Sequence, residues 1–522
     1  MFPSRPLETL FVPAAGASPT LTKRVRSAIG WTASSSLLSQ LIGFCRSIVI
    51  AWILAPADFG LFSIAFTVVL GLNALTTIGL DQTILAHQFA TEKELREHLN
   101  TVWSAELLRG FFLTVLLLAL AYPTARFYGQ PKLLILIPVL SLASLIEGFQ
   151  NTGLVLLRKQ ISFARLFWFQ VTSKATAAIL TITLAVVMRN VWALVLGQLI
   201  LALLSTSLSY LFHPYRPRFA FEKVAIGRAL IFGKFALVIA VASYVTTMAD
   251  NVAVGRMLGM AAVGSYVLAY NLASFPIEVL VFALGKATLP AFAELAASGP
   301  GKLVLSPGKT PAQQIPNGGD HLSAGRLDHA FTRVFAISSL VLISLTVPLF
   351  LLSRDVVQLL YGEKWAAAAP ALQILSLVIP LRGLVLIINS LFYGVNRPKP
   401  VAIGKTLEAA VFLLLIYPLT STFGLTGAAW TAVSAYGFGL AHRMLVLNSV
   451  IPGLSKKLIR LSISAIAATG AGLLIGASIL GWLDPVLPRI VLGGLLATAI
   501  PAMLLVLMRP DLRKWITETT QV

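Results

Sequence analysis

The chain has 522 residues, of which 57% are hydrophobic and only 11% are charged, and its mean hydropathy is +0.85. Soluble domains carry about 25% charged residues, so this composition excludes an ordinary soluble protein and indicates a membrane protein. The 40 Lys and Arg outnumber the 20 Asp and Glu and give a net charge of +20.

Apolar runs of the length that crosses a hydrocarbon core, about 20 residues, recur along the whole chain. They lie at approximately 29–54, 61–80, 104–124, 133–152, 166–188, 191–212, 229–254, 263–289, 331–352, 370–392, 401–420, 424–447, 458–481 and 487–508. Backbone polar groups in lipid must be satisfied within the segment, so these runs are helices. The sequence therefore predicts an all-α polytopic membrane protein with about 14 transmembrane helices.

The positive charge follows the predicted topology. With the N-terminus inside, seven of the 40 Lys and Arg fall on outer loops, six lie within spans, and the rest collect on inner loops and tails. Cytoplasmic loops of membrane proteins carry this excess. Both termini are therefore predicted to be cytoplasmic, and nucleic acid is not an expected partner. The single cysteine, Cys45, excludes a disulfide framework, and we expect neither a metal site nor a cofactor.

A short helix break occurs twice, as ILAPADFGLFSIA at 53–65 and as MLGMAAVGSYVLA at 257–269. Residues that are identical at a separation of 204 include Leu54 and Leu258, Gly60 and Gly264, and Ala65 and Ala269. Six spans separate the copies, so both enter the membrane in the same direction, as in transporters built from parallel repeats. We therefore predict two six-helix lobes related by a pseudo-twofold axis along the membrane normal, plus two C-terminal helices.

The repeat sets the predicted domain boundaries. They are a cytoplasmic N-terminal tail at 1–24, an N-lobe at 25–228, a C-lobe at 229–450 and a C-terminal part at 451–522. Within the C-lobe, a cytoplasmic linker at 290–330 is rich in Gly, Pro and Lys and has too little apolar sequence to fold alone.

Two polar segments are predicted to lie at the membrane surface. The segment SRDVVQLLYGEKWAAAAP at 353–370 alternates apolar and charged residues, which indicates an interfacial helix with Trp365 at the headgroup level. The segment TEKELREHL at 91–99 is a similar surface element on the inner side.

Four stretches carry a family resemblance: LAPADFGLFSIA at 54–65, IGLDQTILAH at 78–87, LLYGEKWAAAAPALQIL at 359–375 and LFYGVNRPKP at 391–400. Over about 25–455 the chain resembles the polysaccharide transporter family, the oligosaccharide flippases of the multidrug/oligosaccharidyl-lipid/polysaccharide exporter superfamily. The resemblance implies translocation of an undecaprenyl-pyrophosphate-linked oligosaccharide across a bacterial inner membrane, for O-antigen, capsule or exopolysaccharide biosynthesis. It also implies a monomer, with a polysaccharide polymerase and glycosyltransferases as candidate partners.

Cations within spans are the first candidates for a cargo site, because each costs roughly 2.5–3.5 kcal/mol in the membrane. Arg and Lys that face a cleft would hold a pyrophosphate, Arg through paired donors and Lys as a point charge. The predicted cationic site consists of Arg46, Lys174, Lys234, Lys286 and Arg382. Snorkelling to the inner headgroups is the open alternative for Lys234 and Lys286, and also for Arg109.

Aromatic and amide side chains are candidates for sugar contacts, on spans that the family places around the cavity. They are Asn73, Tyr244, Tyr266, Tyr270 and Asn271, for each of which simple helix packing is the alternative.

The repeat also suggests a gate. Arg46 corresponds to Asp250 at the separation of 204, so we hypothesise that the two meet across the outer half of the cleft. The alternative is that each pairs within its own lobe. Glu278 is a candidate for binding a coupling proton or Na⁺, with a structural ion pair as the alternative.

Two other function classes were weighed. A multidrug/cation antiporter of the same superfamily would favour an acidic, aromatic pocket, whereas the charge within these spans is mostly basic. A membrane polymerase or ligase would need a substantial outer loop with catalytic groups, but the largest loop faces inward and no outer loop holds a histidine. We therefore expect a transporter and no enzymatic activity.

Overall fold

The computed structural model describes residues 19–76, 91–159, 163–221, 223–278, 321–395, 397–451 and 453–480, together with a few isolated positions. The described residues are helical apart from short turns and one extended segment, and they contain no strand. The chain divides into two compact units, residues 1–267 and 268–522. Lys286, most of the linker at 290–330, the stretch 78–87 and the span predicted at 487–508 lie largely or wholly outside the described residues.

The first unit contains helices α1 to α8 and the start of α9. Their bounds are α1 Pro19–Ile53, α2 Pro56–Thr76, α3 Glu92–Tyr128, α4 Leu133–Gly148, α5 Leu154–Lys159, α6 Phe163–Met188, α7 Trp192–Phe212, α8 Lys223–Met257 and α9 Met260–Pro276. Helix α1 packs on α6, α2 on α4 and α8, α3 on α4, and α7 on α4 and α6.

The second unit contains the remainder of α9 and six further helices. They are α10 His321–Leu351, α11 Ser353–Tyr361, α12 Ala369–Leu375, α13 Val378–Gly394, α14 Lys399–Val446 and α15 Leu454–Leu480. The core of this unit is formed by α10, α13, α14 and α15, with aromatic side chains such as Phe331, Phe335 and Phe392 fully buried.

Eight described helices are long and apolar enough to cross a membrane, and a bent pair at Glu363–Leu375 and Val378–Gly394 would add a ninth. The prediction of an all-α, multi-pass membrane protein is therefore confirmed. Helix α14 covers both of the spans predicted at 401–420 and 424–447. Its one non-helical residue is Gly424, with φ 60° and ψ −134°. The parts of α14 before and after Gly424 contact each other closely: a Cβ on Gly427 would lie 1.8 Å from the Leu419 carbonyl oxygen.

The repeated break ends a long helix at equivalent positions in both copies, but the backbone at the break differs: Gly259 has a φ of 86°, whereas the equivalent Ala55 does not have a positive φ. Helices α1 and α8 are each 35 residues long, and their bounds are separated by the same offset at both ends. The amide of Leu54 donates to the carbonyl of Ile50 at 2.9 Å, and Leu258 donates equivalently to Val254 at 2.8 Å. The two helices before the break therefore have equal lengths and equivalent ends, while the repeat of whole lobes stays a prediction.

The two surface segments differ from the prediction. Residues 92–99 are the first turns of the 37-residue helix α3, which Thr91 caps through a hydrogen bond from the amide of Glu94. Helix α11 is amphipathic, but Trp365 lies in the following 3₁₀ turn and is fully buried. The positive φ of Gly362 reverses the chain between them, and the indole packs inside the second unit; its depth at the headgroup level stays a prediction.

Candidate functional site

Two predicted site residues, Arg46 and Lys174, lie on α1 and α6, which pack against each other in the first unit. The helices are joined nearby by a 2.6 Å hydrogen bond from the Ser35 hydroxyl to the Gln170 amide oxygen. The Arg46 and Lys174 charges are close enough to repel each other. Within the described part of the chain, neither has a carboxylate within 4.0 Å. Two cations that interact electrostatically and have no neutralising carboxylate favour binding of an anion.

The structure does not form the predicted ion pair between Arg46 and Asp250, both of which it describes. The Asp250 side chain is buried and accepts hydrogen bonds from the Tyr266 hydroxyl and the Asn251 amide. Asp250 is therefore bound within its own helix pair, α8 and α9, whereas Arg46 lies beside α6.

Tyr244, a predicted sugar contact, closes the seam between α2 and α8. Its hydroxyl donates to the Thr67 carbonyl at 3.0 Å, and its ring occupies the space that a Cβ on Gly71 would need. Asn251 donates to the Thr67 hydroxyl at 3.1 Å in the same seam. The contacts of Tyr244 in this structure are those of helix packing.

Arg109 is held by an ion pair inside the first unit. Its guanidinium binds Glu106 at 2.7 Å and donates to the Asn73 side-chain oxygen at 3.1 Å, and the Glu147 carboxylate is also close enough to interact. The Asn73 amide nitrogen donates to the Val69 carbonyl at 3.0 Å. Asn73, predicted as a sugar contact, thus connects α2 to α3 through Arg109.

A reciprocal contact joins the starts of α2 and α9. A Cβ on Gly60 would lie 1.8 Å from the Met260 carbonyl oxygen, and one on Gly264 would lie 2.0 Å from that of Pro56. Residues 56 and 260 are equivalent positions of the repeat, as are 60 and 264. Two equivalent glycines therefore pack against two equivalent carbonyls, as a local twofold axis requires.

Three predicted site residues come together in the second unit. Arg382 on α13 donates to the Ser274 hydroxyl at 3.2 Å, and its charge interacts with the Glu278 carboxylate and the Tyr270 ring. Asn271 on the same stretch of α9 is exposed. Lys234 lies on α8, but its side chain is not described.

The sequence prediction missed a buried charge network on α14. Arg443 and Glu408, both 0% exposed, form a 2.6 Å ion pair, and Lys405 binds the other Glu408 oxygen at 3.0 Å. Arg443 also donates to the Asn389 side chain and the Gly439 carbonyl. The available signal was Glu408 itself, because a carboxylate inside a span requires a cation. In the described residues, no group of three or more His, Cys, Asp or Glu could hold a metal ion.

The sequence comparisons point to one family. A family model of polysaccharide biosynthesis proteins matches residues 49–299. The succinoglycan biosynthesis transport protein ExoT of Rhizobium meliloti is 24% identical over 441 residues, 80% of this chain and 82% of that protein. The lipopolysaccharide biosynthesis protein WzxC of Escherichia coli is 24% identical over 385 residues, 72% and 71% of the two chains. The resemblance to the polysaccharide transporter family is confirmed.

Solved structures agree with the polysaccharide transporter family on the fold. The lipid II flippase MurJ in an inward closed conformation gives a TM-score of 0.69 at 14% identity and covers 92% of this chain and 98% of its own. An inward-facing multidrug resistance MATE family transporter of the MOP superfamily gives a TM-score of 0.56 at 17% identity and covers 81% of this chain and 95% of its own. The family-model match includes Lys174 and Asp250 but not Arg46.

Proposed function

We propose that this protein is a flippase that translocates an undecaprenyl-pyrophosphate-linked oligosaccharide across the bacterial inner membrane by alternating access. The cargo would be a repeat unit for O-antigen, capsule or exopolysaccharide biosynthesis. Relatives named for succinoglycan transport, lipopolysaccharide biosynthesis and teichuronic acid biosynthesis support this class of cargo. The single observation that carries the proposal is the Arg46–Lys174 pair.

The chemistry of this pair fits a pyrophosphate. An arginine offers a planar fork of donors to two phosphate oxygens, whereas a lysine supplies a compact point charge. Charge-assisted hydrogen bonds of this kind are stronger than neutral ones. Since neither cation has a carboxylate within 4.0 Å among the described residues, both are available to an anionic headgroup. An organic cation, the cargo of a multidrug antiporter, would be repelled at the same position.

The proposed architecture places this pair in an N-lobe at 25–228 that is matched by a C-lobe at 229–450. Fourteen spans, both termini in the cytoplasm and a monomeric state complete the proposal, with a polymerase and glycosyltransferases as functional partners. The equal lengths of α1 and α8 support the repeat on which the lobes depend. In this topology Arg46 lies in the outer half of its span and Lys174 lies deeper toward the inner half, so the two cations line a path across the membrane.

The remaining candidates have different supporting contacts. Arg382 donates to the Ser274 hydroxyl and interacts electrostatically with the Glu278 and Glu408 carboxylates, so we give it a structural role in the second unit. Glu278 is then better explained as its ion-pair partner than as a coupling site. Asp250, buried and hydrogen-bonded to Tyr266, is the stronger candidate for binding a coupling proton or Na⁺.

The test uses a strain that lacks the gene and any redundant flippase. We expect lipid-linked oligosaccharide to accumulate on the inner leaflet, and the wild-type gene to restore polymer export. Arg46→Gln and Lys174→Gln should each lower export about tenfold or more, because charged hydrogen bonds contribute about 1.5–3 kcal/mol. Arg46→Lys and Lys174→Arg should retain part of the activity.

Lys93→Gln is the matched control, because Lys93 is an exposed cation of the same unit and makes only a 3.9 Å pair with Glu97. It should export normally at equal protein level. If Arg46→Gln and Lys174→Gln both export polymer at the wild-type level, the assigned site is overturned. An unchanged leaflet distribution in the deletion strain, with increased sensitivity to cationic drugs, would overturn the flippase in favour of the antiporter.

A further inference from the structure

An extended segment of the first unit is held firmly against the helix ends. Residues 213–221, with the sequence HPYRPRFAF, follow α7 and are here named the strap. The Asn151 amide donates to the carbonyls of His213 and Tyr215, at 3.2 and 2.7 Å. These bonds tie the first half of the strap to the loop between α4 and α5.

The second half of the strap is tied to α3. The Asn100 side-chain oxygen accepts from the Tyr215 hydroxyl and, at 2.9 Å, from the Arg218 amide. The Ser104 hydroxyl accepts from the Ala220 amide, also at 2.9 Å. Polar side chains of the neighbouring segments thus form hydrogen bonds with the backbone groups on the inner face of the strap. The conformation of the strap is fixed, and so are the positions of the side chains on its other face.

The outer face of the strap presents cations and aromatic rings. Arg216 and Arg218 are exposed, and in the described part of the chain neither has a carboxylate within salt-bridge distance. Phe219 and Phe221 are 61% and 48% exposed and pack edge to face with each other at 5.1 Å. The Arg216 guanidinium lies over the Tyr210 ring at 5.6 Å.

We propose that the strap is a binding surface for the headgroups of anionic phospholipids. It follows the last turn of a span, where exposed aromatic rings mark the boundary between acyl chains and headgroups. Trp103 and Tyr210 both donate to the Phe149 carbonyl beside it, and the Phe149 ring is itself exposed. Two arginines at that depth meet lipid phosphates, and clusters of basic residues next to spans select anionic over zwitterionic lipids.

The proposed ligand is therefore a phospholipid with two acyl chains and a phosphodiester headgroup of net negative charge. The phenylalanines enter the acyl boundary while the guanidiniums bind phosphate oxygens. This surface is separate from the Arg46–Lys174 pair, which lies within the spans. The proposal does not depend on the cargo of the transporter.

The experiment measures lipid binding by native mass spectrometry on the full-length protein in a neutral detergent, without cargo. The probes are dioleoyl-phosphatidylglycerol and, for comparison, dioleoyl-phosphatidylcholine. We expect wild-type protein to retain phosphatidylglycerol preferentially. Arg216→Gln with Arg218→Gln should weaken that binding by about 30-fold, which corresponds to ~1 kcal/mol per arginine. Binding of phosphatidylcholine should be unchanged.

Two further variants make the result specific. Lys93→Gln with Lys132→Gln removes the same charge from exposed positions of the same unit and should keep the preference for phosphatidylglycerol. Phe219→Ser with Phe221→Ser should weaken both lipids alike, because it removes acyl contact and leaves the charges. The proposal is overturned if the arginine variant binds phosphatidylglycerol like wild type, or if the lysine variant loses as much. A flippase without this lipid preference would leave the proposed function intact.

Discussion

At the scale of single residues, Arg443 is a charged side chain in the interior of the second unit. It is fully buried, and Glu408 supplies the carboxylate that neutralises it. Removing one partner of a buried ion pair leaves an uncompensated charge, which costs about 3–5 kcal/mol. We therefore expect Glu408→Gln to lower the thermal unfolding midpoint of the purified protein in detergent strongly, since Arg443 and Lys405 would then face each other without an anion.

The control for this prediction is the exposed pair Lys93–Glu97, where Glu97→Gln should change stability by about 1 kcal/mol or less. Glu408→Leu combined with Arg443→Leu should lose less stability than the sum of the losses of the two single variants. Each single change leaves the other partner buried without its counter-ion. Equal unfolding midpoints for Glu408→Gln and Glu97→Gln would contradict a stabilising role of the buried charge network.

His213 is the residue from which we expect a pH dependence. It lies just outside the span of α7, and burial together with the nearby Arg165 and Arg216 charges lowers its pKa to about 4. Because the unfolded chain binds a proton near pH 6.5 and the folded chain does not, the neutral imidazole contributes stability above that pH. The contribution, about 3 kcal/mol at 1.36 kcal/mol per pKa unit, is lost as the pH falls from 6.5 toward 4.

The measurement is the unfolding midpoint in detergent at pH 7, 6, 5 and 4. The wild-type midpoint should fall over this range, and His213→Gln should flatten the dependence. In the fold, His213 accepts from the Tyr215 amide at 3.2 Å, so the variant is also expected to be less stable at pH 7. An identical pH slope in both proteins would show that other groups cause the loss.

At the scale of elements, the sequence predicted helix ends where the chain carries strong local signals. The ends of α1 and α8 were found because Pro and Gly interrupt long apolar runs. The division of 401–447 into two spans was also predicted, with Gly424 as the first residue of the second span. The burial of Trp365 was not predicted, because an amphipathic pattern identifies the apolar face of a helix but not where the following turn directs a side chain. The single helix at 92–128 was divided because its charged first turns resemble a separate surface element.

The candidate site was predicted less well than the helices, and the repeat explains why. Its offset correctly matched the backbones of α1 and α8, but a side chain is bound by neighbours that the repeat does not preserve. Asp250 accepts from the Tyr266 hydroxyl, whereas the equivalent of Tyr266 in the first copy is Phe62, which has no hydroxyl. The surroundings of Arg46 therefore differ from those of Asp250, and no periodicity in the sequence reveals that Lys174 on α6 interacts electrostatically with Arg46.

At the scale of the whole molecule, the contact between the starts of α2 and α9 is the most specific consequence of the repeat. Gly60 and Gly264 each touch a carbonyl oxygen of the other copy, so both copies depend on hydrogen at these positions. A transporter that works by alternating access must open and close helix contacts of this kind, and packing without side chains lets two helices separate without rotamer changes. The contact is thus a candidate point of movement.

We expect Gly60→Ala and Gly264→Ala each to hold the two helices apart and to lower both polymer export and the unfolding midpoint. A Cβ would lie within 2.0 Å of a backbone oxygen, and overpacking of this kind costs about 1–3 kcal/mol. The double variant should be little worse than either single one, because the first methyl group already separates the contact that the second would disturb. Gly30→Ala, where a Cβ meets nothing within 4 Å, is the control. Strictly additive losses would mean that the two glycines act at independent sites, and normal export by both single variants would mean that this contact does not take part in transport.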